Sequence, residues 1–463
     1  MLGKRVGDFE ILDVYEVLEE QFEEFRDEHD DFEYWQEGET VYSAEDYRDL
    51  LFGDLQPEQE FTVSKYYGND EIIVIPDEAT QLSSRLFEGN ETIKSVIIPN
   101  SVKVISDNAF KGCTALEKVK LGEGVTEICA YAFSDCTALK EIEFPSGVTE
   151  IRNEAFKGCT GLTQVTIPDG VKTLGEYAFE GCTALSRVHL GNNLERILCG
   201  AFKGCGALTK ITLPQSLVKV DLHAFAKSGI EEVYIPKSVK DIGRAPFLNC
   251  GNLKKIEADA ENPHLAVKDN CIVSKTGGVL YAAFGKFTLP NDGTLKKIYF
   301  WVFNGNHEIT EMDIPEGVTE IYSSAFQCCD HLRRVSLPST LEAIGDYCFE
   351  GTSALEEIVI PAGVEKVASW AFYCSGIKKL VIKRGVKILD FDAFADCTRL
   401  TEAYIPSSVY KIDCGLFSGE LFRGCNKNLC VYMEKRENGV HTYLAKFLGK
   451  VKVKFVDKNE ICD

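Results

Sequence analysis

The sequence lacks the short motifs that mark most catalytic and cofactor sites. It contains seven histidines, and none of them stands in a His-Glu-x-x-His zinc motif. No Gly-x-Ser-x-Gly nucleophile turn, phosphate-binding glycine loop or Gly-x-Gly-x-x-Gly dinucleotide loop is visible. The cysteines show no Cys-x-x-Cys metal spacing. We therefore expect no enzyme, no cofactor and no metal site.

Basic residues are few compared with acidic ones. Lys and Arg number 50 against 72 Asp and Glu, which gives a formal net charge of −22. Residues 1–70 alone hold 22 acidic and 5 basic residues, a balance of −17. An acidic chain repels phosphate backbones and anionic lipid headgroups. Nucleic acid and membrane surfaces are therefore not expected as partners.

Long apolar runs are also missing. No stretch reaches the roughly 18 apolar residues that a membrane span requires. The start of the sequence at Met1 shows no basic segment followed by an apolar run of signal-peptide length. The expected compartment is therefore the cytoplasm. A cell-surface or secreted protein is the alternative, because a processed chain no longer shows a segment that was removed.

What the sequence does contain is a repeat, carried by fourteen phenylalanines. The spacing is 23 residues at most steps, 22 before Phe247 and before Phe394, and 56 between Phe247 and Phe303. A period of this length predicts stacked structural units, or rungs, about fourteen in number. The phenylalanines are Phe87, Phe110, Phe133, Phe156, Phe179, Phe202, Phe225, Phe247, Phe303, Phe326, Phe349, Phe372, Phe394 and Phe417.

Each unit repeats one pattern of apolar residues. After Phe110, for example, Val119 and Leu121 alternate with polar neighbours, which is typical of a β-strand. A proline often follows, and proline ends a strand because it cannot donate to the ladder. The segment around Ala109-Phe110 is predicted to form about one turn of helix or 3₁₀ structure. The prolines are Pro99, Pro145, Pro168, Pro214, Pro236, Pro315, Pro338, Pro361 and Pro406.

One unit is too small to bury its own apolar side chains. Stacked units share them as a continuous core, with parallel strands about 4.8 Å apart. Strands on one side and bulkier turns on the other predict curvature. The strands are expected on the concave face.

The pattern Ala-Phe-x-x-Cys-x-x-Leu-x-x-Val-x-Ile-Pro-x-x-Val-x-x-Ile, over residues 71–425, resembles BspA-type leucine-rich repeats. The fold class expected from the pattern and the resemblance is an α/β leucine-rich-repeat solenoid. It is a curved right-handed stack of about 14 rungs with parallel β-strands on the concave face, a helical N-terminal cap and a β-α-β C-terminal cap. Similar proteins are mostly bacterial or protist, and many are surface or secreted binding proteins. The resemblance implies a binding or adhesion function without naming a partner.

Residues 1–70 form a separate acidic segment. Apolar residues from Ile11 to Phe25 recur every three to four positions, which predicts an amphipathic helix over 9–28. Ser43 is predicted to begin a second short helix. The segment is interpreted as a helical N-terminal cap, with an acidic docking module for a basic partner as the alternative.

The solenoid over 71–425 is predicted to have one interruption and a C-terminal cap. The interruption, about 258–300, contains a predicted hairpin with Gly277 and Gly278 at its turn. It is either a decoration of the scaffold or a partner contact. Residues 426–463 are predicted to be a strand–helix–strand cap, with the helix over 440–448.

Nine cysteines occupy a shared place in the repeat, three residues after a phenylalanine. Stacking brings them within disulfide range. Parallel side chains at the same position in consecutive units nevertheless favour a ladder of buried thiols. The nine are Cys113, Cys136, Cys159, Cys182, Cys205, Cys250, Cys329, Cys397 and Cys425.

The strand positions that flank the buried residue vary from unit to unit. Packing dictates the buried positions, so the exposed ones are free to encode a partner. Arg and Tyr among them are types enriched at interface hot spots. The alternative is that they are ordinary solvated strand residues. The candidate binding residues are Lys118, Lys120, Glu143, Arg187, His189, Lys210, Tyr234, Arg334 and Tyr404.

The predicted function is a non-enzymatic protein-interaction scaffold that binds a macromolecule through its concave face. The expected partner is a protein, with a glycan as the alternative, and the chain is expected to be a monomer. A cell-surface or secreted adhesin for a host protein or glycan is the second hypothesis. A third gives the acidic N-terminal segment a regulatory role toward an enzyme.

Overall fold

A computed structural model describes residues 3–6, 8–13, 34–37, 40–43, 61–390, 392–413, 420–435 and 444–457. The chain divides into two compact units. The N-terminal unit comprises Met1–Leu217 and Ser228–Ile230, and the C-terminal unit comprises Val218–Lys227 and Glu231–Asp463. Each unit is a parallel-strand β-solenoid of stacked coils, as the repeat predicts. The curvature and handedness expected of the stack stay predictions.

The first sheet of the N-terminal unit, the long-strand sheet, consists of the strands predicted from the alternating pattern. Adjacent strands are parallel and in register, so that Lys118 lies opposite Ser95 on one side and Glu141 on the other. Paired residues on adjacent strands are one repeat length apart in the sequence, because every coil forms its strand from the same positions of the repeat. The strands are β6 (Ile72–Val74), β8 (Ser95–Ile97), β10 (Lys118–Lys120), β12 (Glu141–Ile142), β14 (Gln164–Thr166) and β16 (Arg187–His189).

A second parallel sheet, the short-strand sheet, was not predicted. Glu127 and Ile128, for example, pair in parallel with Val104–Ile105 and Glu150–Ile151. Two residues are too few to show an alternating pattern in the sequence. In the N-terminal unit this ladder comprises β5 (Phe61–Tyr66), β7 (Gln81–Leu82), β9 (Val104–Ile105), β11 (Glu127–Ile128), β13 (Glu150–Ile151), β15 (Thr173–Leu174) and β17 (Arg196–Ile197).

The C-terminal unit repeats both kinds of strand. Its long strands are β19 (Glu232–Ile235) with β21 (Lys255–Ala258), and then β26 (Glu311–Asp313), β28 (Arg334–Ser336), β30 (Glu357–Ile360), β32 (Lys379–Ile382), β34 (Glu402–Ile405), β36 (Cys430–Glu434) and β37 (Lys452–Val456). Its short-strand ladders are β18 (Lys219–Val220) with β20 (Asp241–Ile242), and then β25 (Lys297–Ile298), β27 (Glu320–Ile321), β29 (Ala343–Ile344), β31 (Lys366–Val367), β33 (Ile388–Leu389) and β35 (Lys411–Ile412).

The helical turn predicted around each phenylalanine is wrong. Asn108 and Gly112, two residues before and after Phe110, have left-handed φ angles of 59° and 72°, which interrupt a helix. Alternate N–H groups donate to the next coil instead, as from Phe110 to the carbonyl of Ala132 at 2.8 Å. The N–H groups between them close short turns, as from Lys111 to the carbonyl of Asn108. These turns therefore form a third ladder of hydrogen bonds between coils. The α/β fold class expected from the sequence is not supported.

The phenylalanines form the centre of the core. Phe110 and Phe133 are fully buried, and their rings stack with centroids 5.1 Å apart and planes inclined by 1°. Similar stacks join neighbouring coils from Phe87 to Phe202 and from Phe303 to Phe394. The ring spacing matches the spacing of adjacent strands, so that each ring fills the gap above its neighbour.

The position of the last repeat needs a correction. Phe422, which is buried, packs beside Phe394 with ring centroids 6.2 Å apart. Three residues later, the Cys425 thiol donates to the carbonyl of Phe394, as its counterparts do in earlier coils. Phe422 therefore occupies the place that the regular spacing assigned to Phe417. Phe417 itself lies outside the described residues.

The predicted N-terminal helix is not supported. Its first residues form a strand, β2 (Phe9–Asp13), which pairs antiparallel with β1 (Gly3–Val6) and with β5. The solenoid ends in an open sheet edge, and antiparallel strands satisfy the backbone groups of that edge. Ser43, predicted to start a helix, ends strand β4 (Thr40–Ser43), which pairs with β3 (Tyr34–Glu37). Residues 14–33 and 44–60, which hold the rest of both predicted helices, lie outside the described residues.

The C-terminal segment places β36 and β37 in parallel at the end of the long-strand sheet. Leu444 and Ala445 are the only helical residues in the part of the chain that the structure describes. Most of the helix predicted over 440–448 is thus either turn or, at 440–443, outside that part.

The interruption contains three antiparallel strands. They are β22 (Leu265–Lys268), β23 (Cys271–Ser274) and β24 (Val279–Ala283). Gly277 and Gly278 have φ angles of 89° and 60° between β23 and β24, so the hairpin predicted there is present. β24 then pairs in parallel with β25 and returns the chain to the solenoid.

The buried cysteines line up beside the phenylalanines. Cys159 is fully buried, and its thiol donates to the carbonyl of Phe133 in the preceding coil, with a sulfur–oxygen distance of 3.0 Å. Cys136 and Cys182 make the same bond one coil earlier and one coil later. Cys136, Cys159 and Cys182 are free thiols rather than disulfides, as the repeat predicts. Burial raises the pKa of the Cys159 thiol well above its ordinary value and keeps it neutral.

Of the cysteines that the structure describes, Cys328 and Cys374 are expected to react first when the folded protein is treated briefly with a water-soluble maleimide. Both are exposed, whereas Cys159 is fully buried and stays neutral. Peptide mass mapping at increasing denaturant measures each rate. Cys328→Ser and Cys374→Ser should remove the corresponding fast adducts and leave Cys159 protected. Equal modification of Cys159 and Cys328 in the folded protein would contradict the buried ladder.

Candidate interaction surface

The outer face of the long-strand sheet presents two rows of side chains. In β10 the central Val119 is buried, and Lys118 and Lys120 on either side of it are exposed. β14 and β16 show the same alternation. Since the strands are in register, the first positions align across the sheet as one row and the third positions as another.

In the N-terminal unit, charge and polarity change along these rows. The first row runs Ile72, Ser95, Lys118, Glu141, Gln164 and Arg187, and the second runs Val74, Ile97, Lys120, Glu143, Thr166 and His189. An apolar end is therefore followed by a basic, an acidic, a neutral and again a basic strand.

The apolar end of the rows was missed in the sequence. Ile72 and Val74 are 64% and 59% exposed, and Ile97 is 38% exposed. They occupy the same strand positions as Lys118 and Lys120, so the rule that found the charged residues would also have found them. Large exposed apolar side chains in adjacent positions are a feature of interaction surfaces.

Three predicted residues do come together at the other end of the rows. Arg187, His189 and Lys210 line one shallow depression with a volume of about 470 Å³. All three are exposed. Among the residues that the structure describes, no ion pair involves Arg187 or Lys210. The depression therefore presents cationic groups that are available to an outside partner.

In the C-terminal unit, the candidates Tyr234 and Arg334 form hydrogen bonds with acidic side chains of the same unit. The Tyr234 hydroxyl donates to Asp259 at 3.0 Å, and this hydrogen bond raises the pKa of Tyr234. The Arg334 guanidinium bonds both Asp313 and Glu311 of the adjacent strand, each with a contact of 2.9 Å. Hydrogen bonding to Asp313 and Glu311 raises the pKa of Arg334. Arg334 is thus already neutralised within its own sheet.

Tyr404 differs from the other candidates because it is only half-buried rather than exposed. Its ring stacks on Tyr432 of β36, with centroids 4.7 Å apart and planes inclined by 9°. The Lys454 ammonium lies 5.1 Å from the Tyr432 ring. This aromatic pair stabilises the end of the long-strand sheet.

The nine candidate residues do not form one site. In the N-terminal unit, β12 and β14 separate Lys118 and Lys120 from Arg187 and His189. In the C-terminal unit, β30 and β32 separate Arg334 from Tyr404. Within each unit, the candidates therefore lie in separate patches on the long strands.

Within the described ranges, no group of three or more His, Cys, Asp or Glu side chains could hold a metal ion. In the same residues, no helix is long and apolar enough to cross a lipid bilayer.

The repeat itself matches a known family. A family model described as "BspA type Leucine rich repeat region (6 copies)" matches residues 65–186, 149–271 and 284–425, which together make up well over half of the chain. The chain belongs to the BspA-type leucine-rich repeat family. This membership confirms the resemblance seen in the Ala-Phe-x-x-Cys pattern. No curated protein matches this BspA-type chain.

Solved structures of bacterial repeat proteins share the fold. A leucine rich cell surface protein from Faecalibacterium prausnitzii is 23% identical with a TM-score of 0.53, covering 83% of this chain and 95% of its own. The pneumococcal vaccine antigen PcpA is 16% identical with a TM-score of 0.54, and the match covers 98% of this chain and 99% of PcpA. A leucine-rich repeat protein from Eubacterium ventriosum is 17% identical with a TM-score of 0.52, and the match covers 79% of this chain and 90% of that protein. These neighbours share the repeat fold of the BspA-type family.

Proposed function

We propose that this BspA-type protein is a non-enzymatic interaction scaffold that binds a protein partner through the outer face of the long-strand sheet. The observation that supports the proposal is the depression formed by Arg187, His189 and Lys210. Its cations have no internal counter-ion among the described residues, in contrast to Arg334. Exposed charges without internal partners contribute to the rate and the specificity of association.

The scaffold suits recognition by many modest contacts. Val119 and its counterparts hold the strands in a packed core, so the exposed positions are ordered before a partner arrives. A preformed surface loses little conformational entropy on binding. A partner with an acidic segment opposite Arg187 and Lys210 and an apolar segment opposite Ile72 and Val74 would match the face of the N-terminal unit.

Charge reversal tests this proposal. A partner is first captured from the source organism with the whole chain as bait. Arg187→Glu with Lys210→Glu is then expected to weaken its binding at least about tenfold, since two favourable charges become repulsive. Isothermal titration calorimetry measures the affinity, and thermal melts should remain unchanged.

The matched control reverses two charges in neighbouring coils on a different surface. Lys172→Glu with Arg196→Glu changes the net charge equally, and both residues are exposed beside the short-strand sheet. Its affinity should stay close to that of the unmodified protein. Equal loss in both double variants would point to net charge alone, and equal affinity in all three proteins would remove this face from the proposal.

The second candidate function is a cell-surface or secreted adhesin for a host protein or glycan. The likeness to a structure described as a cell surface protein favours it over the cytoplasmic compartment expected from the sequence. Protease treatment of intact cells, followed by immunodetection of this chain, distinguishes the two compartments. Digestion without cell lysis supports the surface, and full protection contradicts it.

A further inference from the structure

The interruption of the repeat leaves a break in the phenylalanine stack of the C-terminal unit. On one side, Phe247 stacks on Phe225 with ring centroids 5.6 Å apart. On the other side, Phe303 stacks on Phe326 at 4.8 Å and on Phe287 of the interruption at 5.3 Å. The two coils that border the interruption are thus joined through inserted residues.

The backbone ladder of the turns is also incomplete here. In the coil before the break, the N–H groups of His223, Phe225 and Lys227 donate to carbonyls of the next coil at 3.2, 2.9 and 2.8 Å. In that next coil, the equivalent N–H groups belong to Ala245, Phe247 and Asn249. Among the residues that the structure describes, none of these three groups has an acceptor.

The three donors keep the geometry of a paired coil. Ala245 and Asn249 have the left-handed φ angles of 44° and 55° that recur at these positions in other coils. Ala245 and Phe247 are buried. Backbone N–H groups of buried residues usually have an acceptor, because each loses its hydrogen bond to water. The N–H groups of Ala245 and Phe247, with that of the exposed Asn249 beside them, therefore form a row of donors for an outside acceptor.

A cleft of about 370 Å³ lies beside these donors. Ala245, Phe247 and Asn249 line it on one side, and residues 302–308 of the next coil line it on the other. Leu253, Ala282 and Phe284 add apolar surface to its wall. Next to Ala245 in the chain, the Arg244 guanidinium lies 4.0 Å from the centre of the Phe300 ring. The cleft therefore combines residues with available backbone donors and an apolar wall.

We propose that this cleft binds a peptide segment of about five residues whose backbone is turned like that of a repeat coil. In the ladder one coil earlier, the acceptors are the carbonyls of Arg244, Pro246 and Leu248, which recur at every second residue of such a turn. Five residues in that conformation supply three acceptors, so main-chain hydrogen bonds can hold the segment. The peptide takes the place of the missing coil, and its central apolar side chain enters the cleft beside Leu253.

A bound anion would not use these donors in the same way. An anion-binding backbone nest needs N–H groups from successive residues. Here Pro246 has no N–H group, and the N–H of Leu248 donates to the carbonyl of Ala245 at 3.1 Å. Only alternate donors remain, and these match a peptide main chain. The site is separate from the long-strand face and does not depend on the function proposed above.

Hydrogen exchange followed by mass spectrometry on the full chain tests the site. Without ligand, amides 245–249 should exchange faster than amides 177–181, whose alternate N–H groups are paired at 2.8 Å. Millimolar acetyl-alanyl-alanyl-valyl-alanyl-alanine amide should then slow exchange at 245–249 at least about tenfold. Sodium acetate at the same concentration serves as the anion control.

Two glycine variants provide a matched pair. Gly251 lines the cleft, and a side chain added there meets no atom within 4 Å, so Gly251→Leu should fold and obstruct the cleft. Gly206 holds the same place after Phe202 and is equally open. Protection by the peptide should vanish in Gly251→Leu and persist in Gly206→Leu. Slow exchange at 245–249 without peptide, equal protection by acetate, no protection by the peptide, or protection that survives Gly251→Leu would overturn the proposal.

Discussion

Phe156→Ala is expected to lower the free energy of unfolding by roughly 3–5 kcal/mol. Phe156 is fully buried, and its ring lies 5.3 Å from that of Phe133 and 5.3 Å from that of Phe179. The edge of Phe144 contacts it from a third side at 5.5 Å. The neighbouring coils are held at the spacing of their strands, so they cannot collapse into the cavity.

The loss should spread to both neighbouring coils. In a stack, stability is close to a sum of terms for each unit and its two interfaces, and Phe156 belongs to both interfaces. Denaturant titration followed by circular dichroism measures the change, and hydrogen exchange locates it around residues 133–179. Tyr410→Ala, at a side chain that is 57% exposed, serves as the aromatic control and should change stability by less than about 0.5 kcal/mol. An unchanged transition for Phe156→Ala would show that the ring does not hold the coils together.

Arg384→Ala is expected to cost about 2–4 kcal/mol, because it leaves a buried carboxylate without its counter-ion. The Glu434 side chain is only 5% exposed. Arg384 donates to it from Nε at 3.1 Å and from Nη2 at 2.8 Å. The N–H and the hydroxyl of Ser407 add two further donors, each at 2.9 Å. These bonds join the loops after β32 and β34 to β36, the strand beside the last one in the sheet.

The effect should depend on pH with a defined sign. Burial alone would raise the pKa of Glu434, but the hydrogen bonds from Arg384 and Ser407 outweigh burial and hold the pKa below its ordinary value. A lowered pKa stabilises the folded state above the ordinary value near 4.5, and this stabilisation is lost as the pH falls through the folded pKa. The unmodified protein and Arg384→Ala should therefore differ most near neutral pH and converge in acid.

A double variant separates the ion pair from its packing. Replacing both partners, as in Arg384→Met with Glu434→Leu, removes both charges and keeps apolar volume. It should be more stable at neutral pH than Arg384→Ala and show little of the acid dependence. If Arg384→Ala were as stable as the unmodified protein at every pH, the Arg384–Glu434 pair would not contribute to closing the stack.

Much of the fold could be predicted because the repeat constrains the core. Phe110, Val119 and Cys113 recur in place because every coil meets an identical neighbour, so the sequence period and the packing period coincide. The short-strand sheet escaped prediction because Glu127 and Ile128 are too short a run to alternate. The helical turns were wrong because the left-handed positions are occupied by residues as different as Arg85, Asn108 and Glu154, which share no chemical signal.

The candidate surface was predicted only as a pattern of exposure. Alternation around Val119 correctly placed Lys118 and Lys120 on the outside. It could not show that Arg334 is neutralised by Glu311 and Asp313, since the distances between side chains on adjacent strands do not follow from spacing. For the same reason, it could not show that Arg187 and Lys210 line one depression. That these residues bind a partner remains a proposal.

The sequence by itself determined that this chain stacks, which side chains lie inside and which family it belongs to. A unit of 23 residues cannot cover its own apolar residues, so the buried set follows from the period alone. Only the tertiary structure decided where the backbone hydrogen bonds go: to the next coil through most turns, and to no described acceptor at Ala245, Phe247 and Asn249. The acceptor of each turn N–H group belongs to the coil that follows, and after Asn249 the interruption replaces that coil.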